Sequence, residues 1–301
     1  LCVVGAAADS TTLPDAVEGV MTLTENVTMS SSDFDSALDT YYDAGNEELI
    51  IDLGQNTLTV TGGGSIEYPA NTSLTIENGN MVAYGFPEGT KSFVVPGDGC
   101  ELTLENVTIN TDGAAIFPAG NATAVTVINS NITGGVYAIG TNASTEDGEL
   151  VQSFNVRVQL LNSTFSATGY SNNNGDTCTV MLNVPGTLII DNCIITGHRQ
   201  AVFARGGDVT ITDSTIALLD PVFDVAGTYG TNNTYISNDQ VWLSGNEVPL
   251  AAMVIGNRVN PNQAYQYPVD VEISNTTISA NEENDAIYAY EMTSETGIDR
   301  N

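Results

Sequence analysis

The stretch from Leu188 to Phe203, LIIDNCIITGHRQAVF, contains short aliphatic runs joined by polar turns. In the opening LII, the first and third residues face one side of a β-strand and the second faces the other. The polar pair DN ends this first run, and AVF closes the stretch with a second apolar run. A unit this short has nothing of its own against which to bury an apolar face. It must pack against similar units, so the pattern should recur.

The pattern does recur along the chain. Its copies are LTIENGNM from Leu74, LTLENVTI from Leu102, VTVINSNI from Val125, VQLLNSTF from Val158, VTITDSTI from Val209 and VEISNTTI from Val271. In each copy two aliphatic residues flank one outward residue, and a polar turn residue follows. The turn residues Asn78, Asn106, Asn129, Asn162, Asn192 and Asp213 are 21 to 33 residues apart. Repeats of this length with insertions predict a stacked solenoid.

A further aliphatic position follows each turn. Pairs seven residues apart are Ile109 and Ile116, Ile132 and Ile139, and Ile195 and Val202; Ile216 is paired with Val222-Phe223, and Ile278 with Ile287 after a small insertion. The runs are rich in Val, Ile, Thr and Leu and show no helical period, which favours strands. We expect parallel strands, interior aliphatic ladders, and turn Asn residues that hydrogen-bond along the stack.

These repeats resemble the right-handed parallel β-helix of the pectate-lyase-like superfamily over roughly residues 46–292. The resemblance implies an all-β, single right-handed parallel β-helix solenoid with a short N-terminal helical cap. Its handedness follows from the resemblance and from the rule for parallel crossovers. We predict a strand and helix cap at 1–48, the β-helix at 49–292, and at 293–301 a tail or the start of a further segment.

The N-terminal segment differs from the repeats. Residues 1–8, LCVVGAAA, are interpreted as a first strand or as the tail of a signal peptide. Residues 32–43 predict an amphipathic helix with Ser32 as N-cap and Phe34, Leu38 and Tyr41 on one face. Such a helix would cover the open end of the aliphatic stack.

Composition limits the partners. Six Lys and Arg against 37 Asp and Glu give a net charge of −31, which disfavours nucleic acid and anionic membranes. No apolar run reaches membrane-spanning length. Charged residues make up only 14% of the chain, and Thr, Ser, Asn and Gly supply the polarity. This is typical of secreted β-solenoids, so we expect an extracellular or cell-surface protein.

The four cysteines fit no metal spacing. A Cys178–Cys193 disulfide pinning one coil is one interpretation, with Cys2–Cys100 tying down the N-terminus; the alternative is four small thiols in or near the core. Among the N-x-S/T sequons, Asn121, Asn142 and Asn232 lie in predicted loops and are the expected glycosylation sites if any are used.

Two fragments resemble part of a polygalacturonase site. These are NTDG at 110–113 and GHR at 197–199, but an Asp-Asp pair and an Arg-x-Lys motif are missing. The repeat places Asp112 and His198 in one column, three coils apart, or roughly 14 Å at ~4.8 Å per coil. Hydrolase carboxylates need to lie within about 10 Å of each other. A working site of this kind is not expected.

His198, Arg199 and Arg205 cluster in a chain that is poor in cations, with Asp191 near them in the repeat. One hypothesis is a subsite for an anionic sugar with an arginine as base. The favoured alternative is local charge pairing on a solvated face. Calcium could bind acidic loops such as STEDGE at 144–149, but no ligand spacing requires it. We therefore predict no cofactor and no dedicated metal site.

The outward residues between paired aliphatics include several threonines: Thr75, Thr103, Thr126 and Thr210. An ice-binding surface would need two regular threonine columns, and the second column here, from Glu77 to Ser274, is irregular. Strand propensity explains the threonines better. Trp242, Tyr229 and Tyr235 are candidate sugar-stacking residues, with packing over the C-terminal part of the stack as the alternative.

The sequence favours a non-catalytic extracellular protein, an adhesin-like stalk or a subunit of a surface layer or filament. Its expected partners are a carbohydrate or protein on a cell surface, or copies of itself. The alternative is a carbohydrate-active enzyme, lyase or hydrolase, or a sugar-binding module. If the protein is an enzyme, the residues of choice are His198, Arg199, Arg205 and Asp191. If it is an adhesin, contacts should come from loops 141–153, 166–177 and 228–240 and from the ends of the rod.

Overall fold

The computed structural model describes residues 9–86, 92–141, 145–146, 149–150, 155–168, 178–220, 250–256, 258–260, 263–282, 284–293 and 297–299. These residues form an all-β solenoid of stacked parallel strands, as predicted, with one short helix near the N-terminus. Nine coils are present, and most have three segments. We call these the leading strand, the middle strand and the trailing strand.

The leading strands are Val20–Thr22, Glu48–Asp52, Ala124–Ile128, Val156–Leu161, Gly186–Asp191, Gly207–Thr212 and Val269–Ser274. The middle strands are Val27–Ser30, Thr57–Thr61, Asn131–Gly134, Thr164–Ala167, Ile194–Gly197, Thr215–Leu218 and Thr277–Ser279. Ser73–Tyr84 and Glu101–Thr111 each run through both positions, which joins all these strands into one sheet of 16.

The trailing strands form a second, eight-stranded sheet. They are Ser92–Val94, Ala114–Ile116, Ile139–Gly140, Cys178–Leu182, Gln200–Ala204, Ala251–Gly256 and Asp285–Thr293, and Gly297–Asp299 closes the sheet as an antiparallel partner of the last. Two antiparallel hairpins lie outside the coils, at Thr145–Glu146 with Glu149–Leu150 and at Arg258–Asn260 with Gln263–Tyr267.

The strand register confirms the predicted aliphatic ladders. Successive leading strands align Leu74, Leu102, Val125, Val158, Leu188, Val209 and Val271. From Leu74 to Val209 each of these side chains is at most 2% exposed, and they belong to one continuous interior cluster. Each coil alone would leave this apolar surface in water, so stacking supplies the burial that stabilises the fold.

The predicted turn residues adopt a left-handed backbone conformation. Their φ angles lie between +46° and +59° at Asn78, Asn106, Asn129, Asn162, Asn192, Asp213 and Asn275. Asn and Asp tolerate this region better than other non-glycine residues, which explains their recurrence. The Asn192 amide donates to Oδ1 of Asn162 at 2.9 Å, and Asn106 donates to Asn78 at 3.4 Å. These bonds confirm the predicted asparagine contacts along the axis for two pairs.

A second ladder of small polar residues follows the turn. The backbone N–H of Ser130 donates to Oγ of Ser163 at 3.0 Å, and that of Cys193 donates to Oγ of Ser214 at 3.0 Å. The Ser163 and Ser214 hydroxyls in turn donate to the carbonyls two residues earlier, at Leu161 and Thr212. Cys193 therefore takes a serine position, where its thiol donates to the carbonyls of Leu160 and Asp191 at 3.3 and 3.2 Å.

The expected Cys178–Cys193 disulfide is wrong. Cys100, Cys178 and Cys193 are buried and form no disulfide with one another; Cys2 lies outside the described residues, so its pairing with Cys100 stays a prediction. Cys193 belongs to the interior cluster, whereas Cys178 belongs to a separate apolar cluster with Met181 and Phe203, so the two thiols cannot meet. Burial raises the pKa of Cys100 and of Cys193, which keeps both protonated and unreactive.

The helix spans Ser31–Asp43, and its N-cap is Ser30 rather than Ser32. The Ser30 hydroxyl accepts a hydrogen bond from the Asp33 N–H at 3.1 Å, as N-caps do. The helix buries Phe34, Leu38 and Tyr42, so the third apolar position is one residue later than predicted. Parallel pairing already begins before the helix, because Val20–Thr22 pairs with Ile50–Asp52 and Val27–Ser30 with Leu58–Thr61.

The eighth coil departs from the predicted frame. Its trailing strand is Ala251–Gly256, in which Met253 aligns with Val202 and Ile287. Met253, rather than Val222-Phe223, therefore follows Ile216 in the trailing ladder, and Val222-Phe223 themselves lie outside the described residues. Residues 221–249 lie outside the described residues. An insertion of this length hides the seven-residue spacing on which the prediction depended.

Candidate functional site

The column that contains Asp112 and His198 has structural partners. Register places the two residues three coils apart, as predicted. The Asp112 carboxylate accepts hydrogen bonds from the backbone N–H groups of Gly85 at 2.9 Å and Phe86 at 3.3 Å. Nδ1 of His198 lies 2.6 Å from the carbonyl oxygen of Asp220. Each side chain thus fixes a neighbouring backbone segment, and the polygalacturonase-like pair is not brought together.

The four residues chosen for an enzyme occupy three different corners of the seventh coil. Asp191 ends the leading strand, His198 and Arg199 lie between the middle and trailing strands, and Arg205 follows the trailing strand. The trailing strand Gln200–Ala204 alone spans roughly 16 Å at ~3.3 Å per residue. The Asp191 carboxylate accepts a hydrogen bond from the Thr212 hydroxyl at 2.8 Å. Closeness in the sequence therefore does not produce a catalytic cluster.

The favoured interpretation of the arginines as solvated charges is also wrong. Arg199 is 2% exposed and Arg205 is 5% exposed. The Arg205 guanidinium carbon lies 5.4 Å from the centre of the Phe203 ring, within the range of a cation–π contact. The sequence did not show this because both arginines flank a strand whose two faces are both covered.

The outer face of the trailing sheet carries a second buried apolar cluster. Its buried cluster contains Cys178, Met181, Phe203, Ala251, Val254 and Tyr290, with Tyr137 and Tyr288 packed against it. The Tyr288 and Tyr290 rings lie 6.0 Å apart between centroids. The six buried members of this cluster are at most 7% exposed, so this face is closely packed rather than open to a ligand.

Other predicted contacts lie outside the described residues. These are Trp242, Tyr229 and Tyr235, the sequons at Asn142 and Asn232, and most of the three loops. Asn121 is described: its N–H donates to the Asp98 carboxylate at 2.7 Å, and its own carbonyl accepts from the Gly99 N–H. The sequon's third residue, Thr123, is fully buried and donates to the Gly97 and Gly120 carbonyls. This sequon is thus integrated into a folded corner.

Within the described residues, no group of three or more His, Cys, Asp or Glu side chains comes close enough to hold a metal ion. The STEDGE segment is described only at 145–146 and 149. The same residues include no helix that is long and apolar enough to cross a membrane. A pocket of about 600 Å³ lies at the N-terminal end between Leu13–Met21 and the helix, and it contains none of the predicted site residues.

The outward side chains of the leading strands form an acidic surface, which we call the leading face. It carries nine carboxylates and one cation: Glu48, Asp52, Glu77, Glu101, Glu105, Asp191, Asp208, Asp270, Glu272 and Arg157. Asp52, Glu77 and Glu105 align on successive coils. Partial burial, followed by repulsion from Asp52 and Glu105, raises the pKa of Glu77.

The outward side chains of the middle strands form a surface without charge, which we call the middle face. One column is Thr57, Asn80, Thr108, Asn131, Thr164, Ile194, Thr215 and Thr277; the next is Thr28, Thr59, Val82, Asn110, Thr133, Ser166, Thr196, Ala217 and Ser279. The sequence reasoning considered only the residues before each turn and missed this face. Counting charges after each turn would have found it.

Comparison of the sequence with known families and curated proteins found no relative. No protein-family model matches the chain, and no curated protein matches it at a significant level of similarity.

Proposed function

We propose that this is an extracellular, non-catalytic β-helix protein that serves as an adhesin-like stalk or as a subunit of a surface layer or filament. The observation that carries the proposal is the separation of Asp191, His198 and Arg205 onto three corners of one coil. Groups that share a catalytic task need to lie within hydrogen-bonding reach of one substrate. A rigid solenoid with extended outer faces instead suits a scaffold for binding or assembly.

We also propose a right-handed sense for the coils. Parallel crossovers are right-handed in about 98% of cases, and we therefore expect right-handed coils similar to those of the pectate-lyase-like superfamily. A net charge of −31 keeps such a rod soluble and away from anionic surfaces. The expected partners are a carbohydrate or protein on a cell surface, or copies of the protein itself.

Turnover assays test the non-catalytic part. Purified protein is incubated with a panel of neutral and anionic polysaccharides, with and without calcium, beside a His198→Ala variant. We expect no new reducing or unsaturated ends in any reaction. Cleavage that disappears in the variant would overturn the proposal and make the corner around His198 an active site.

A further inference from the structure

We propose that the middle face is the surface through which two copies of this protein associate side by side. The inference rests on the proposed function as an assembling surface protein, and it names the surface. Its occupant is a second copy of the chain, placed with its own middle face against the first. Such a contact is self-complementary and fits a two-fold axis.

Electrostatic repulsion limits which faces of two copies can meet. Two molecules that each carry −31 repel each other wherever carboxylates face carboxylates. The two columns of the middle face contain no charged residue from the first coil to the ninth. Charges appear at its borders, where Glu25 and Asp213 lie at the turn side and Asp112 and Asp220 lie at the corner towards the trailing sheet. Close approach therefore costs less at this face than at the leading face.

Exposed apolar side chains lie on and beside the middle face. Five large apolar residues of the described chain are exposed: Val17, Tyr84, Ile194, Leu219 and Ile287. Ile194, at 51% exposure, lies within the middle face, while Tyr84 and Leu219 lie at its border. Interface cores are depleted in charge and enriched in apolar and aromatic groups. One of the five exposed apolar residues thus lies on the uncharged surface, and two more lie beside it.

The middle face is regular and carries short side chains. The middle strands of successive coils pair in register without a bulge, and their outward residues are short. The Thr133 and Ser166 hydroxyls hydrogen-bond to each other between coils at 2.9 Å. These two groups of the middle face therefore have a hydrogen-bond partner within the same copy. Flat, rigid surfaces lose little conformational entropy when they meet.

The size of the face sets the expected strength. Eight steps of ~4.8 Å give a strip roughly 38 Å long. With a width of about 12 Å, it offers roughly 450 Å² per copy, about half of a standard interface. The pairwise contact should therefore be weak and should become effective where many copies are held together.

Sedimentation equilibrium tests the inference on the full chain, with a matched pair of variants in the fifth coil. Thr133→Glu adds a carboxylate to the middle face, and Thr126→Glu adds the same group to the leading face. We expect the wild type to associate reversibly, more strongly at higher salt because screening weakens repulsion. Thr133→Glu should weaken association at least tenfold, and Thr126→Glu should change it by less than threefold. Circular dichroism confirms that both variants are folded.

The outcomes separate this inference from the proposed function. If both variants weaken association equally, the middle face is not the contact surface, although the proposed assembly of copies would still be supported. A wild type that stays monomeric at all salt concentrations would overturn the inference and the assembly part of the proposed function together. Binding to an insoluble polysaccharide that Thr133→Glu abolishes, without an effect on association, would assign the face to a glycan and overturn the two-copy contact.

Discussion

The leading face and the middle face are made by the same coils, share one interior and meet at the same asparagine turns, yet their surfaces differ. The leading face carries nine carboxylates and a single arginine, whereas the two columns of the middle face carry no charge. Both faces have similar β-branched residues and the same inter-coil spacing, so strand propensity does not separate them. The difference shows that the fold leaves the outward positions free, and that their chemistry can serve contacts rather than folding.

The largest expected effect concerns the interior that both faces share. Ile195 is fully buried, whereas its neighbour Ile194 is 51% exposed on the middle face. Ile195→Ala should lower the free energy of unfolding by about 3 kcal/mol, because it leaves a cavity in the aliphatic ladder. Ile194→Ala should change it by less than ~0.5 kcal/mol. Urea unfolding measures both, and similar losses would contradict the assigned orientation of this strand.

The next effect concerns the turn at which the two faces meet. Asn192 has a φ of +50°, and its amide donates to Asn162. Asn192→Ala should destabilise the fold by about 1–2 kcal/mol, since alanine gains no compensation for the left-handed conformation. Asn192→Gly should cost less because glycine adopts positive φ freely. If the glycine variant is the less stable of the two by thermal unfolding, the left-handed backbone conformation is not what limits the choice of residue at this turn.

A smaller effect distinguishes the charged face. Because burial and the carboxylates of Asp52 and Glu105 raise the pKa of Glu77, ionised Glu77 is less stable in the folded protein than in the unfolded chain. This cost is present at neutral pH and disappears as the pH falls through the raised pKa. Glu77→Gln should therefore raise stability at neutral pH by roughly 0.5 kcal/mol, with the gain lost in acid.

The exposed turn variant Glu282→Gln is the control for this prediction, because Glu282 lies outside the three aligned carboxylates. Unfolding of both variants is measured from neutral to acidic pH. A loss of stability in Glu77→Gln at neutral pH would mean that the carboxylate stack is favourable, for example through a bound cation.

The smallest effect concerns the uncharged face. Thr133→Val removes the hydroxyl that bonds to Ser166 between coils, at a position where valine keeps the β-branched shape. The free energy of unfolding should change by less than about 0.5 kcal/mol. A loss above 1.5 kcal/mol in chemical denaturation would show that the hydroxyls of the middle face serve the fold itself.

Much of the fold could be predicted because stacking imposes a rule on every coil. Leu188 and Ile190 had to face an interior, and Asn192 had to turn the chain, so both the ladders and the turns followed from the sequence. The trailing strand of the eighth coil was not predicted because an insertion separates Ile216 from Met253. A fixed residue spacing cannot locate the next aliphatic position when the length of the insertion is unknown. Ser30 was missed as N-cap because three serines adjoin there and only backbone geometry selects one.

The candidate site was less predictable because the positions of its residues depend on where the chain turns between the strands of a coil. His198, Arg199 and Arg205 look like a cluster in the sequence, but a three-sided coil sends residues a few positions apart to different edges. The burial of both arginines depends on the second face of the trailing strand, which alternation alone does not report. The middle face was missed because its members are distributed over nine coils, and only the residues before each turn were compared; register brings them together.

Photo-cross-linking tests the central claim, a lateral contact between middle faces, most directly. A photoreactive phenylalanine analogue replaces Thr133 in one preparation and Thr126 in another, and cross-linked peptides are identified by mass spectrometry at concentrations where the protein associates. The account predicts links between copies from position 133 to residues of the middle face, and none from position 126. Links between copies from position 126 alone, or equally from both positions, would contradict it.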